Sequence, residues 1–333
     1  MTIKGTIVGT ICSLAVASPF RTAAEKLLVR VGNKHPTSPT VHSFSRHFGK
    51  RIMDREGEEF ERIVTFASGG KMRCGADGQI GWYALMHYFV GTITGQTVDE
   101  RPMVFFLDRV LREGDVFFDV GTNLGFYSSY VAPLCGKSGA VHGFEANPSL
   151  IPHLERSLDL NAESSNIHLN DVAVGKESNK VLRLSDPDRI GNSSCYAHGW
   201  INGKNWVDVR VVALDDYVQE KHIDRIAVMK IDIEGAELDA MQGMEQTFSR
   251  CPPNVILCEL MPGTVPDRAD GAARPGEISE FLKDKGYVLC QIGEADGRVT
   301  VAEESIDNIE SETHTLNVAF IQSSFLDERP EIL

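Results

Sequence analysis

The chain has 333 residues, 42% hydrophobic and 24% charged, ordinary for a globular protein and enough for a sizeable core. Its 33 basic against 47 acidic residues leave a formal charge of -14, a field that repels phosphate backbones and argues against nucleic acid as a partner. The seven cysteines are scattered without a C-x-x-C pair, so neither a disulfide framework nor a zinc site is indicated and buried reduced thiols are expected.

Residues 1–40 read as an N-terminal segment and linker. Ile7 to Ala17 is apolar, follows a single Lys4 and ends in Ala15-Val16-Ala17, but it is too short to span a bilayer as a helix and its basic flank is weak for an export signal. A cytoplasmic chain is expected, with membrane association through residues 7–17 as the alternative. Pro36 and Pro39 break the linker 33–40.

Residues 41–114 read as a cap. Ile63 to Arg73 predicts a strand, a Gly69-Gly70 turn and a return strand, with a second turn at Ala76-Asp77-Gly78. Gly81 to Val90 is apolar nearly all round and is expected to pack as cover. Met103 to Leu111 has helical spacing and stops at Glu113-Gly114.

A main domain is expected over 115–325, where strands and helices alternate and so predict a parallel sheet with right-handed crossovers. Val116 to Val120 is the first strand, Phe126 to Leu134 a helix, and Ala140 to Phe144 the second strand, ending in Glu145. Ser149 to Asn161 is the second helix and Ile167 to Val174 the third strand. Gly175 to Lys221 interrupts the alternation and is expected to face the substrate. Ile226 to Ile233 is the fourth strand, followed by a helix from Ala236 to about Phe248. Asn254 to Leu260 is the fifth strand, Ile278 to Lys285 a helix, and Tyr287 to Ile292 and Leu316 to Gln322 are two closing strands.

The stretch VFFDVGTNLGFY, residues 116–127, is a strand, a glycine turn and a helix start. Asp119, Gly121, Asn123 and Gly125 bring bare N–H groups and a positive helix end to the sheet's carboxyl edge, where open α/β folds bind nucleotide-like ligands. The G-x-G-x-x-G spacing for a pyrophosphate is absent, which disfavours a nicotinamide-dependent dehydrogenase; a ribose with a zwitterionic tail fits better. Glu145, at the end of the next strand, can accept hydrogen bonds from both ribose hydroxyls, and Asn147-Pro148 starts the following helix. Asp171, near the end of the third strand, could reach an adenine amino group, and reads equally as an exposed turn acid.

Val228 to Glu237, VMKIDIEGAE, gathers Asp232, Glu234, Glu237 and Lys230 at one strand end, and buried carboxylates without a partner are costly enough that such a cluster usually has a use. Asp232 is the first choice for a base or orienting acceptor and Glu234 the second. The other reading makes the acids caps of the next helix. Glu259, at the fifth strand's end, faces the same edge. It could share the role or complete a divalent-metal set with Asp232 and Glu234, although no metal is expected. In the insertion, His198 stands near Asn192, Trp200, Asn202 and Trp206, residues that suit stacking on a ring; a lone loop histidine is more often solvated.

Taken in order, FFDVGTNLGFYS, GFEANPS, ALDDYV, MKIDIEGAELDAMQG and PNVILCEL resemble the FkbM-type S-adenosylmethionine-dependent methyltransferases, whose blocks run D-V-G-A-N-x-G-x-x-S, F-E-P-N-P and K-I-D-V-E-G-x-E. Thr122 stands where the family often has Ala, and Ala146 where it has Pro. The resemblance spans about residues 115–287 and implies a class I, Rossmann-like α/β fold: a seven-stranded, mostly parallel sheet with helices on both faces, here with an N-terminal extension. It implies S-adenosyl-L-methionine as cofactor and O-methylation of a sugar, glycolipid or secondary metabolite. Gly121, Asn123 and Gly125 would line the cofactor, Glu145 its ribose, and Asp232 with Glu234 the reaction edge. The alternative is a non-catalytic binding or scaffold protein that keeps the cofactor fold. Oligomeric state and the role of residues 1–114 carry no sequence signal.

Overall fold

The structure is a computed structural model that describes residues 61–75, 100–163, 166–185, 205–262, 273–295, 298–312 and 316–333. The apolar segment 7–17, the linker 33–40, the turn 76–78, the run 81–90 and His198 with Asn192, Trp200 and Asn202 lie outside the described residues.

The chain divides into two compact units, 1–104 and 105–333. In the first, β1 (Glu61–Thr65) and β2 (Lys71–Gly75) pair antiparallel across a turn in which Gly69 takes a φ of 90°. The helix α1 (Glu100–Val110), which begins in the first unit and ends in the second, follows the apolar spacing seen over 103–111.

In the second unit the elements run β3 (Val116–Val120), α2 (Phe126–Cys135), β4 (Ala140–Glu145), α3 (Ile151–Leu158), β5 (Asn166–Asp171), β6 (Ala173–Val174), β7 (Val181–Ser185), β8 (Trp206–Val212), α4 (Leu214–Glu220), β9 (Val228–Ile231), α5 (Glu237–Gln242), α6 (Glu245–Arg250), β10 (Val255–Leu260), α7 (Pro275–Asp284), β11 (Tyr287–Ala295), β12 (Arg298–Glu303), α8 (Ile306–Ser311), β13 (Leu316–Gln322) and α9 (Ser323–Glu328). The main sheet has the order β12-β11-β13-β10-β9-β3-β4-β5. Strands β10, β9, β3, β4 and β5 are mutually parallel, while β13 is antiparallel to both of its neighbours and β12 to β11. Covered on both faces, β3, β9 and β10 are apolar except for Asp119, Lys230 and Glu259 near their carboxyl ends, as strands at the middle of a parallel sheet that carries a site at that edge would be. The order reverses between β3 and β9, so the crevice outside their carboxyl ends is where this architecture binds ligands.

Three expectations change. The sheet has eight strands rather than seven, because Val299 and Val301 place β12 in a hairpin on β11. The run 167–174 is two strands: at Val172 the chain leaves the main sheet, and β6 joins a second sheet of order β6-β8-β7. The helix expected over 236–248 is two, α5 and α6. A Cβ on Gly243 would lie 2.2 Å from the carbonyl oxygen of Gly175, and this backbone contact breaks the helix. Asp215 then caps the restart, accepting from the N–H groups of Gln246 at 2.9 Å and Thr247 at 2.7 Å and from the Thr247 hydroxyl at 2.8 Å.

Among the described residues, Cys74, Cys135, Cys251, Cys258 and Cys290 are buried free thiols. None of the described helices is long and apolar enough to cross a membrane.

Candidate active site

The turn after β3 is built by close approach. Gly121, at φ 86°, lies where a Cβ would stand 1.9 Å from the carbonyl oxygen of Asp232, so only glycine fits. The N–H groups of Gly121 and Thr122 both donate to the carbonyl of Phe144 at 3.0 Å, tying the turn to the end of β4. Asn123 follows at φ 50° and Gly125 at φ 81°, where α2 begins.

Glu145 is 8% exposed and each of its oxygens takes a backbone donor: Oε2 from Asn123 at 2.7 Å, Oε1 from Asn147 at 2.8 Å. Each oxygen keeps a lone pair for a further donor. Burial pushes this carboxyl up to about 7, and the two N–H groups pull against that rise. Asn147 Oδ1 in turn accepts from the Ser149 N–H at 3.0 Å and hydroxyl at 2.7 Å, which sets the entry to α3.

At the end of β9, Lys230 Nζ meets Asp232 Oδ2 at 2.8 Å and stands 5.0 Å from the centre of the Tyr127 ring. Asp232 N–H donates to the Val120 carbonyl at 3.0 Å, carrying the β3–β9 pairing into the loop. Carboxylate oxygens of Asp232, Glu234 and Glu259 lie within 4.8 Å of one another, a spacing that could hold a cation. Burial first, then the Asp232 charge, raises Glu234 to about 8; the same two causes, joined by Glu234, raise Glu259 to about 9.

The turn after β3, the end of β4 and the loop after β9 border one open cavity. Gly121, Asn123, Glu145, Asn147, Asp232 and Glu234 line it. Asp119 and Gly125 support it from behind. The fully buried Asp119 accepts from the Ser128 N–H at 3.0 Å and hydroxyl at 2.6 Å, and burial raises its pKa against the pull of the Lys230 charge. A Cβ on Gly125 would stand 3.0 Å from Leu154 of α3. Asp171 is exposed at the end of β5 and does not line the cavity; Val172 and Ala173, the next two residues, do. Leu182, Leu184 and Val209 of the β7–β8 hairpin supply an apolar wall that sequence reasoning placed only as part of an insertion. Their alternation with exposed Val181, Arg183, Asp208 and Arg210 was the available signal.

The donor set fits an adenosylmethionine: an acid with two oriented oxygens for a diol, apolar walls for a purine, and carboxylates for a cationic centre. Asn123 Oδ1, buried and without a hydrogen-bond partner, leaves an acceptor open to a ligand donor.

The chain is similar over 194 residues, at 24% identity, to the hexuronic acid methyltransferase AglP of Haloferax volcanii, covering 57% of this chain and 76% of that one. It is 26% identical to Methyltransferase 1 of Beauveria bassiana, covering 52% of this chain and 72% of that one. Among solved structures it resembles a methyltransferase FkbM from Methylobacillus flagellatus KT, with a TM-score of 0.37 and 15% identity over 74% of this chain and 55% of that one. The family model described as the methyltransferase FkbM domain matches residues 119–289, about half of the chain. The chain therefore belongs to the FkbM methyltransferase family, and S-adenosylmethionine is its cofactor.

Proposed function

We propose that this methyltransferase transfers the methyl group to a hydroxyl oxygen of a sugar, glycolipid or other small metabolite. One observation carries the reading: Glu145, its two oxygens oriented by backbone N–H groups, and the acids Asp232 and Glu234 open into the same cavity. The curated relative AglP, a hexuronic acid methyltransferase by name, supports a sugar acceptor.

Glu145 would hold the ribose and Gly121, Asn123 and Asn147 the backbone around it, with Leu182, Leu184 and Val209 against the purine. When bound, S-adenosylmethionine supplies a methyl group on a sulfonium. In this reading Asp232, held by Lys230, orients the acceptor hydroxyl and Glu234 receives its proton, a carboxyl raised to about 8 being near working pH. Lys230 steadies the edge as charge shifts. Asp171, being exposed, is left out of the purine contact.

Calorimetry with S-adenosylhomocysteine tests the cofactor half. Glu145→Ala should weaken binding by about 1–3 kcal/mol, the cost of leaving ribose hydroxyls unpaired. Labelled-methyl transfer into a glycan and lipid extract of the host, with the product examined by mass spectrometry, tests the rest. Label on nitrogen or carbon instead of oxygen defeats the proposal.

A further inference from the structure

The loop between β9 and α5 holds Glu234 at φ 55° and Gly235 at φ 105°, successive left-handed residues, the first of which carries a side chain. That conformation is unfavourable for glutamate by itself and needs an external hold. The loop's first residue is fixed by the bond from Asp232 N–H to Val120. Its far end is fixed by Glu237, which is 6% exposed and accepts from the N–H groups of both Ile233 and Gly235, each at 3.1 Å and each at Oε1. Glu237 does not line the cavity, whereas Ile233 and Glu234 do.

We propose that Glu237 is a positioning residue for methyl transfer: by gathering the N–H groups on either side of Glu234 onto one oxygen, it keeps the Glu234 carboxylate facing the reaction. The proposal rests on the methyl-transfer reading of the cavity. Two features separate it from an ordinary helix cap. The bonds run to residues before the helix, flanking the one side chain that must be aimed. They also ask for an acceptor and not for a charge; burial raises the Glu237 pKa, so a neutral carbonyl of the same reach can replace the carboxylate.

The full-length chain carrying Glu237→Gln or Glu237→Ala tests this with three readouts: S-adenosylhomocysteine affinity, turnover with labelled S-adenosylmethionine on the host extract, and hydrogen exchange at the Ile233 and Gly235 amides. Misplacement of a reacting group by about 1 Å costs on the order of a hundredfold in rate. The alanine variant is therefore expected to lose roughly tenfold to a hundredfold in kcat, to keep cofactor affinity within about threefold, and to exchange both amides faster. The glutamine variant should retain wild-type kcat and amide protection. Wild-type kcat in the alanine variant overturns the proposal. So does a glutamine variant that keeps both amides protected yet loses kcat, and this second variant decides the matter if the alanine protein fails to fold. A wild-type chain that transfers no methyl group defeats the functional reading instead, and the exchange measurements then still report whether Glu237 holds the loop.

Discussion

Gly121 and Asp232 touch backbone to backbone, and the space between them has no room for a methyl group: a Cβ on Gly121 would lie 1.9 Å from the Asp232 carbonyl oxygen. Gly121→Ala should therefore combine left-handed strain with overpacking and cost about 2–5 kcal/mol, with a matching loss of S-adenosylhomocysteine affinity. Gly286, at φ 85° with nothing within 4 Å of its Cβ position, is the control. Gly286→Ala should cost only the strain, about 1–2 kcal/mol, and leave binding intact. Thermal melts and calorimetry on both variants make the comparison, and equal binding losses would contradict it.

The raised carboxyls make stability fall on the alkaline side. Unfolded, each titrates near 4.5; folded, Glu145 titrates near 7, Glu234 near 8 and Glu259 near 9. In between, the folded chain keeps protons that the unfolded chain has released, so the stabilising contribution is full below 4.5 and is lost as pH rises through 7 to 9. Melting temperature should drop over this range without ligand, and Glu259→Gln should flatten the upper part of the drop. His142, pushed down to about 3 by burial and by the His168 and Lys221 charges, acts at the other end. Below about 6.5 the unfolded chain takes up a proton that the folded chain refuses, so stability also falls on acidification.

A cation placed beside these carboxyls should displace their protons. At pH near 7.5, binding of S-adenosylmethionine, whose sulfonium is positive, should release about half a proton or more, while the neutral thioether of S-adenosylhomocysteine should release less. Calorimetry in two buffers of different ionisation enthalpy measures the difference, which Glu234→Gln should shrink. Equal release with both ligands would place the sulfonium away from the acid edge.

Asp215 stabilises without touching the cavity. Asp215→Ala removes the cap of α6 and should cost about 1–2 kcal/mol in urea melts while leaving cofactor affinity unchanged.

The parallel half of the sheet was legible because β3, β4, β9 and β10 are mostly apolar runs with an acid at or next to their carboxyl ends, a local pattern that holds whatever surrounds it. The break between α5 and α6 was not, because it depends on Gly243 meeting Gly175, far away in sequence. The strand β12 was legible in principle, since Asp296-Gly297 before it is a hairpin-turn dipeptide, but its two valines make only a short alternation. In the site, a glycine turn and acids at strand ends announced Gly121, Glu145 and Asp232. Asp119 gave the same signal as Glu145, an acid near a strand end, yet one turns under α2 to Ser128 and the other lines the cavity. The apolar wall of Leu182, Leu184 and Val209 depends on how the hairpin folds back, which alternation alone does not specify.

The meeting of Gly175 with Gly243 has an evolutionary reading. It brings the chain just after β6 against the joint between α5 and α6, backbone to backbone. A side chain at Gly243 would collide with the Gly175 backbone, and one at Gly175 would stand 2.9 Å from Val211. Substitution at either position therefore requires its neighbours to shift, a constraint that links two sites far apart in the sequence.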